Sequence, residues 1–384
     1  MFHFTCKTLI QNGIFNSKTS YVRYIQTIPF LNSVSNSNPT EKQSLTVSYL
    51  MNSCGLSLER AISASKVVNI EYTDKPDSLL KLLNSYGFSK AHIASLISKH
   101  PRLILAHPEK TIRPKIEYFK SLGIRGPDLP KLISSNVLIL LSSLEKQIIP
   151  TFDFVKGIIV TNENLIYALK QSIYVVQCNV EKVMVPNIST LRAHGVPEQN
   201  VANLLMMQPK SLMLKPDLFR EVVCAIKEMG FEPMRRSFIL AVRSMSIISK
   251  VNWEKKKEVL RSFGWSETDF ILAFRVQPMI MICSVKKIGD VLEFLTTKAG
   301  LRPSDVARCP NLFLTSLEKR MIPRCAVLQV LMSQGLVSKN INLVWQLNHS
   351  KQIFDKKFLT PFMEEAPAVI EAYQGKIGFQ GFSD

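Results

Sequence analysis

Apolar residues recur along this chain at the spacing of one helical face. In the segment 218–229 they stand at i, i+4, i+5, i+8 and i+11, and they are Leu218, Val222, Val223, Ile226 and Met229. Gly230 follows this stripe, and glycine often ends a helix because it readily adopts the left-handed backbone conformation. Pro233 then begins a second predicted helix, with apolar residues between Phe238 and Val242. The pattern predicts a helical hairpin with one apolar face on each helix.

This unit repeats along most of the chain, because a glycine followed by an apolar residue recurs at steps of 32 to 38 residues. The pairs are Gly55-Leu56, Gly87-Phe88, Gly123-Ile124, Gly157-Ile158, Gly195-Val196, Gly230-Phe231, Gly264-Trp265, Gly300-Leu301 and Gly335-Leu336. Such a period is typical of stacked supersecondary units that share one elongated core. The predicted fold is all-α, a curved helical-repeat solenoid of roughly eight units of ~35 residues each.

Prolines predict a short extra helix in several units, since proline fits the first turn of a helix. These short helices begin at Pro101, Pro209, Pro278 and Pro310. The segments 172–175 and 245–248 have the same apolar pattern without the proline, so we expect short turns there too. Ser266 and Asp269 have the spacing of a capping box at the start of another helix.

Composition supports a folded, basic protein. Apolar residues make up 46% of the chain, which is too many for a disordered protein. The formal net charge is +18 and the isoelectric point is near 9.6, and both favour polyanionic partners. No run reaches the roughly 18 uninterrupted apolar residues of a transmembrane helix, so we expect no membrane partner.

The first 40 residues differ from the rest of the chain. They contain Lys7, Lys18 and Arg23, many Ser and Asn residues and no acidic residue before Glu41. A basic, acid-free and weakly amphipathic start is typical of an organellar transit peptide. The spaced basic residues favour the mitochondrion over the chloroplast. The predicted organisation is a transit peptide over residues 1–40, a repeat array over 41–365 and a polar C-terminal tail over 366–384.

The reactive residue types form no recognisable catalytic or metal site. Seven dispersed cysteines contain no C-x-x-C pair, which argues against a zinc finger and a disulfide scaffold. The six histidines include no H-E-x-x-H pattern, and the chain has no glycine-rich phosphate loop. We therefore expect no enzyme, no metal and no cofactor.

The repeat marks, taken together, resemble one known family. They are Tyr49-Leu50, Cys54-Gly55-Leu56-Ser57, Lys75-Pro76-Asp77, Gly87-Phe88-Ser89, and the stretch from His100-Pro101-Arg102 through Pro114-Lys115 to Leu122-Gly123. Over residues 45–365 the chain resembles the mitochondrial transcription termination factor (mTERF) family, as a land-plant member. The resemblance implies three-helix repeats, a basic groove that binds nucleic acid, and a role in organellar transcription, intron splicing or ribosome assembly. The units near Val137 and Ser246 lack the usual proline, so we expect a less regular array there.

Basic residues recur at fixed distances before the glycines, on one flank of each helix beside the apolar stripe. A track of this kind can neutralise a phosphate backbone. The candidate nucleic-acid-binding residues are Lys110, Arg113, Lys120, Lys146, Lys182, Arg192, Arg220, Lys227, Lys250, Arg261, Lys286, Lys287 and Arg324. The run Lys255, Lys256 and Lys257 is interpreted as a solvated face. Trp253, Trp265 and Trp345 are candidates for base stacking, although the position of Trp265 after a glycine favours the core.

Three hypotheses for function follow. The first is a monomeric regulator of organellar gene expression that binds double-stranded nucleic acid, duplex DNA above all, and acts in transcription termination or another transcription step. The second is an RNA-binding factor for splicing or ribosome assembly; the spacing also resembles pentatricopeptide repeats, although no one-base-per-repeat code is visible. The third is a scaffold for other organellar gene-expression proteins, which would need a groove that is not uniformly basic.

Overall fold

The computed structural model describes residues 39–159 and 161–382, and this part of the chain is helical without strands. The predicted transit peptide lies almost entirely outside the described residues. The α-helices, α1 to α21 in chain order, are Pro39–Asn52, Leu58–Ser65, Asp74–Ser85, Lys90–Lys99, Arg113–Ser121, Asp128–Ser135, Leu138–Leu141, Ile149–Ile159, Asn162–Gln171, Val185–Ala193, Glu198–Met207, Pro216–Glu228, Arg236–Ile247, Lys250–Ser262, Glu267–Val276, Val285–Glu293, Pro303–Arg308, Ile322–Ser333, Leu343–Asn348, Lys351–Phe358 and Ala368–Tyr373. An all-α repeat fold is therefore confirmed.

Shorter helical segments of two other kinds join these helices. The 3-10 helices are Pro101–Leu105, Ile173–Gln177, Pro209–Met213, Pro278–Ile282, Pro310–Leu314 and Thr360–Phe362. The π-helical turns are Pro108–Ile112, Leu144–Ile148, Val180–Met184, Phe294–Lys298 and Leu317–Met321. Most repeats thus contain a long helix, a second helix and a short 3-10 helix.

The described residues form two compact units. The N-terminal unit contains residues 39–189 and 201–215, and the C-terminal unit contains residues 190–200 and 216–382. Within the C-terminal unit, α21 packs against α18, and the ring of Tyr373 stacks on that of Phe354. The Phe379 ring lies 5.6 Å from that of Phe294. The segment after residue 365 is therefore folded onto the last repeats, while the predicted boundary at that point stays a prediction.

Glycine ends the long helices as the sequence predicts. After α12, Gly230 has φ of 82°, its N–H donates to the Lys227 carbonyl, and the N–H of Phe231 donates to the Ile226 carbonyl. This is the Schellman arrangement, which satisfies the last carbonyls of the helix and turns the apolar residue back onto it. The prediction was wrong at Gly157, which lies inside α8 and is not among the glycines with positive φ. The helix that follows Gly230 begins later than predicted, at Arg236 instead of Pro233.

The residue before each short-helix proline leaves the α conformation, because the proline ring clashes with an α-helical residue in front of it. His100, Gln208 and Gln277 have φ between −142° and −152° and ψ between 73° and 86°. Ser172 adopts a similar conformation without a proline, so the expected short helix forms at Ile173–Gln177. The short turn expected at 245–248 does not form separately. With no proline to interrupt it, α13 continues to Ile247.

A second set of prolines explains four of the π-helical turns. Pro114, Pro150, Pro186 and Pro323 each stand second in the α-helix that follows such a turn. Proline has no N–H to donate, and its ring clashes with the carbonyl four residues earlier. The preceding turn widens, so the N–H of Arg113, for example, donates to the carbonyl of Pro108 five residues back. These turns were not predicted from the sequence.

Buried polar side chains connect each of several repeats to the next. Asn187 donates from Nδ2 to the carbonyls of Leu212 at 3.0 Å and Leu214 at 2.8 Å, which lie at the end of a 3-10 helix. Three charged side chains make equivalent bonds to the next repeat, namely Lys115 to the Leu140 carbonyl, Lys256 to the Met281 carbonyl and Arg324 to the Leu347 carbonyl. These carbonyls have no intrahelical partner, so the donors satisfy groups that would otherwise be buried unpaired.

The burial of Lys256 and Lys257 corrects the interpretation of residues 255–257 as a solvated face. Lys256 is only 6% exposed, and Lys257 lies against Glu267, with 2.6 Å between Nζ and Oε1. Only Lys255 of this run is exposed. Burial lowers the pKa of Lys256, as it does for Lys115, because a low-dielectric site disfavours the charged ammonium group. Lys256 and Lys257 therefore belong to the buried contacts of the array, and Lys255 alone lies on a solvated face.

Replacement by alanine is expected to change the stability of the fold in opposite directions at a glycine that ends a helix and at a glycine inside a helix. Gly195 has φ of 80° and open space around an added Cβ, so Gly195→Ala is expected to destabilise the fold by about 1 kcal/mol or more through backbone strain alone. Gly157→Ala, inside a helix and also with open space, is expected to stabilise it by about 0.5–1 kcal/mol. Urea unfolding midpoints of the two variants would check this. Destabilisation by Gly157→Ala would contradict the placement of that residue inside α8.

Candidate nucleic-acid interface

The long helices begin with a repeated cap. A side chain of Ser, Asn or His accepts a hydrogen bond from the backbone N–H three residues later, which satisfies one of the free donors of the first turn. The residue at this third position is a lysine in five repeats. The cap and lysine pairs are His107 with Lys110, Ser143 with Lys146, Asn179 with Lys182, Ser284 with Lys287, and Ser316 with Lys319. We call the five lysines, Lys110, Lys146, Lys182, Lys287 and Lys319, the N3 lysines.

The N3 lysines are accessible and carry unneutralised charge. Four are exposed and Lys287 is half-buried. Among the ion pairs of the described residues, none involves an N3 lysine. A glutamate directly precedes four of the N3 lysines in the sequence. Adjacent residues on a helix point in different directions, so these glutamates do not pair with the lysines beside them. Glu109, for example, pairs with Arg113 instead. The N3 lysines therefore present positive charge at the first turns of equivalent helices.

In the C-terminal unit, two observations place the starts of successive long helices near one another. Helix α14 packs against α16. The pKa of Lys286 is raised mainly by its hydrogen bond to Asp290, and Glu318 of the next repeat contributes to the same increase. Lys286 stands beside Lys287, and Glu318 stands beside Lys319. The first turns of these successive long helices are thus close enough for their charges to interact.

The candidates in the last turn of the long helices have acidic partners. Lys120 pairs with Glu117 at 3.0 Å, and Arg192 with Glu198 at 2.6 Å. Arg261 pairs with Glu267 at 3.3 Å, while Lys227 is exposed and has no ion pair in the described part of the chain. The arginine pairs reach across the glycine turn to the next helix. Three of these four charges are therefore already balanced within the protein.

The candidates in the first half of the long helices are mostly balanced as well. Arg113 pairs with Glu109, Arg220 with Asp217 at 3.4 Å, and Lys286 with Asp290 at 2.8 Å. Lys250 is the first residue of α14 and is half-buried. These pairs are solvent-exposed, and exposed pairs of this kind contribute little to stability. A phosphate group can compete for the same cations, but it must first displace the carboxylate.

Hydrogen bonds to arginine keep the partner carboxylates ionised. The bond from Arg192 lowers the pKa of Glu198, and the bond from Arg113 lowers that of Glu109. Both pairs therefore remain neutral as units at physiological pH, since the carboxylates stay charged beside guanidinium groups that never lose their proton. The unneutralised charge of these helices lies with the N3 lysines.

Arg324 is not a surface cation, and this corrects its place among the candidate binding residues. It is 1% exposed, and its guanidinium donates to the carbonyls of Leu347, His349 and Ser350 and lies over the Phe354 ring at 4.4 Å. Burial lowers the pKa of Arg324 to about 10. The distance of a basic residue from the helix-ending glycine carries no information on its burial, so a core residue was predicted to lie on the basic track.

Counting from the helix start gives a better register than counting from the glycine. Lys146 stands eleven residues before Gly157, but Gly157 lies inside α8 and does not end a helix. From Ser143 it takes the same third position as Lys110 and Lys182. Lys319 takes this position too and was not predicted, although Ser316 stands three residues before it.

The described residues give few signs of other chemistry. No group of three or more His, Cys, Asp or Glu side chains in the described residues could hold a metal ion. Within the same residues, every helix is too short or too polar to span a bilayer. Trp253 and Trp265 are buried, as expected for Trp265, whereas Trp345 is exposed.

A family model described as mTERF matches residues 80–244 and 242–355, which is more than half of the chain. The chain belongs to the mTERF family. Proteins of this family are helical-repeat proteins that bind nucleic acid and act in organelles. No curated protein matches this mTERF chain significantly. The repeats that carry the N3 lysines all lie within the matched residues.

Two lysine substitutions are expected to separate folding from binding in this mTERF protein. Lys256→Met removes the buried donor to the Met281 carbonyl and is expected to cost about 1–3 kcal/mol of unfolding free energy. Lys146→Met removes an exposed N3 lysine and is expected to change stability by less than about 0.5 kcal/mol. Chemical denaturation followed by circular dichroism would check both values. Equal effects would mean that the two lysines do not differ in burial as described.

Proposed function

We propose that this mTERF protein regulates organellar gene expression by binding double-stranded nucleic acid, with duplex DNA as the preferred target, through the N3 lysines. The observation that carries the proposal is the recurrence, at the same position of equivalent helices, of a lysine that forms no ion pair in the described part of the chain. Four of the five lysines are exposed. Phosphate groups repeat regularly along a nucleic acid, so a regular series of cations matches them without reading any base. The excess of basic residues in the whole chain agrees with such a partner.

Transcription termination, or another step of transcription, is the proposed role of such a duplex contact. The protein would act as a monomer, because a repeat array provides many contacts within one chain. Contacts to phosphate alone carry no sequence information. The N3 lysines would therefore position the protein on the duplex.

RNA is the second candidate target, with intron splicing or ribosome assembly as the role. An RNA duplex also presents a regular phosphate backbone, so the N3 lysines fit it as well. Binding to matched duplex DNA, single-stranded RNA and structured RNA over a salt series would distinguish the two. Tighter binding to DNA duplex would favour the transcription role, and tighter binding to RNA would overturn it in favour of the second.

The proposed compartment is the mitochondrion, and the acid-free segment 1–40 is the proposed targeting signal. A fluorescent protein fused behind these residues is expected to accumulate in mitochondria. Its accumulation in plastids would overturn the mitochondrial assignment and leave the proposed duplex binding intact.

A combined variant tests the N3 lysines directly. Replacing Lys110, Lys146, Lys182 and Lys319 by Gln is expected to weaken duplex binding. The slope of log K against log salt concentration is expected to become shallower by about 3–4, since each lost phosphate contact in B-form DNA contributes about 0.9. Fluorescence anisotropy over a salt series would measure both quantities.

A matched control has the same change in net charge. It replaces four exposed lysines outside the N3 position, namely Lys66, Lys75, Lys339 and Lys376. The control is expected to weaken binding far less and to leave the salt slope nearly unchanged. An equal loss in both variants would show that net charge alone drives binding and would sink the assigned interface.

A further inference from the structure

The C-terminal repeats contain an unusually exposed tryptophan. The structure describes all three tryptophans of the chain: Trp253 is 1% exposed, Trp265 is 3% exposed and Trp345 is 61% exposed. A tryptophan side chain buries more apolar surface than most others when it enters a core. Exposure of the Trp345 indole therefore leaves a large flat apolar surface in water, where another planar group can cover it.

The helix that contains Trp345 holds it in this position. The Asn342 side chain caps α19 by accepting a hydrogen bond from the backbone N–H of Trp345 at 3.0 Å. Val344 and Leu347 of the same helix fill the core. One turn later the His349 ring approaches the indole edge to face, with 6.1 Å between the ring centroids. The indole is thus supported on one side and open elsewhere.

Several cations lie near Trp345. In the sequence, residues 319–363 contain seven Lys and Arg residues, of which Arg324 is buried, and one acidic residue, Asp355, whereas Glu318, Glu364 and Glu365 stand just outside this range. Some of these cations reach α19 itself, since Arg320 donates to the Asn348 carbonyl and Lys357 Nζ lies 2.9 Å from Gln346 Oε1. Neutral partners leave both positive charges intact. The surface beside the indole therefore attracts anions.

Equivalent positions in other repeats also lie at the surface of the short helix. In each of these repeats, one carbonyl of the short helix accepts the hydrogen bond from the buried side chain of the preceding repeat. The residues two positions before that carbonyl are Leu138, Lys210, Met279 and Trp345. None of the four is fully buried. Lys210 Nζ lies 5.0 Å from the centre of the Tyr174 ring on the neighbouring short helix. Trp345 is the most exposed member of this set.

We propose that Trp345 is a stacking platform for an unpaired nucleobase, with the surrounding cations holding the adjacent phosphates. A flat aromatic surface within a basic patch suits single-stranded nucleic acid, because bases stack on aromatic rings while the backbone needs positive charge. A base pair inside a duplex hides both of its faces, so the base must come from a single-stranded stretch or an unpaired end. This inference rests on the proposed nucleic-acid binding and adds a second kind of contact to it.

Intrinsic fluorescence can test the platform because Trp345 is the tryptophan that water reaches. A ten-nucleotide single-stranded RNA is expected to quench the long-wavelength part of the tryptophan emission, and a blunt duplex of the same sequence is expected to quench it much less. Trp345→Phe is expected to remove this quenching while retaining affinity, since phenylalanine also stacks. Trp345→Ala is expected to weaken single-strand binding about tenfold and to leave duplex binding within about twofold.

Ile353→Ala is the matched control, because Ile353 is an exposed apolar residue of the same unit, at 51% exposure. It is expected to bind the RNA like the unsubstituted protein, and thermal melting by circular dichroism would show whether each variant remains folded. If Trp345→Ala binds single-stranded RNA as tightly as the unsubstituted protein, or if Ile353→Ala weakens it equally, the platform is overturned while nucleic-acid binding stands. If the unsubstituted protein binds no nucleic acid at all, both proposals fail.

Discussion

The hydrogen bond from a buried side chain to the end of the next short helix is the interaction on which the stacking of repeats depends. A short helix, whether 3-10 or α, ends in carbonyls that have no partner of their own, and packing another repeat against it removes water from them. Lys115, Asn187, Lys256 and Arg324 provide the missing donors. Where the equivalent residue is Thr151, Gln147 donates to the Val176 and Cys178 carbonyls instead. Apolar burial alone would leave these carbonyls unsatisfied.

This requirement divides the basic residues of the chain into groups with different tasks. Some cations lie inside, where their charge serves as a strong hydrogen-bond donor and burial lowers the pKa. A second group, including Arg192 and Arg261, links helices across glycine turns through carboxylates. A third group, the N3 lysines, forms no ion pair within the described part of the chain. The net charge of +18 is therefore an incomplete measure of what a polyanion meets.

Much of the fold was predictable from the sequence because local signals agree with one another. Gly230 and Pro209 act through backbone geometry that any helix would obey, so their positions gave the helix ends and the short helix directly. Gly157 misled because glycine is tolerated inside a helix, and only its neighbours decide which conformation it takes. Arg324 and Lys256 misled for another reason. A lysine or arginine at the edge of an apolar stripe has the same sequence pattern whether its head reaches water or a carbonyl of the next repeat.

The π-helical turns give the array a tolerance to repeat length. In a repeat with such a turn the buried donor stands eight residues after the helix cap, as Asn187 does after Asn179. In the repeat of α14, which begins without such a turn, the donor Lys256 stands seven residues after the cap Ser249. The widened turn thus absorbs one additional residue, and the donor still reaches the carbonyl 25 residues further on in both cases. Insertion or deletion of a single residue near the start of a long helix can be accommodated locally, without rotating the rest of that helix out of register with its neighbours.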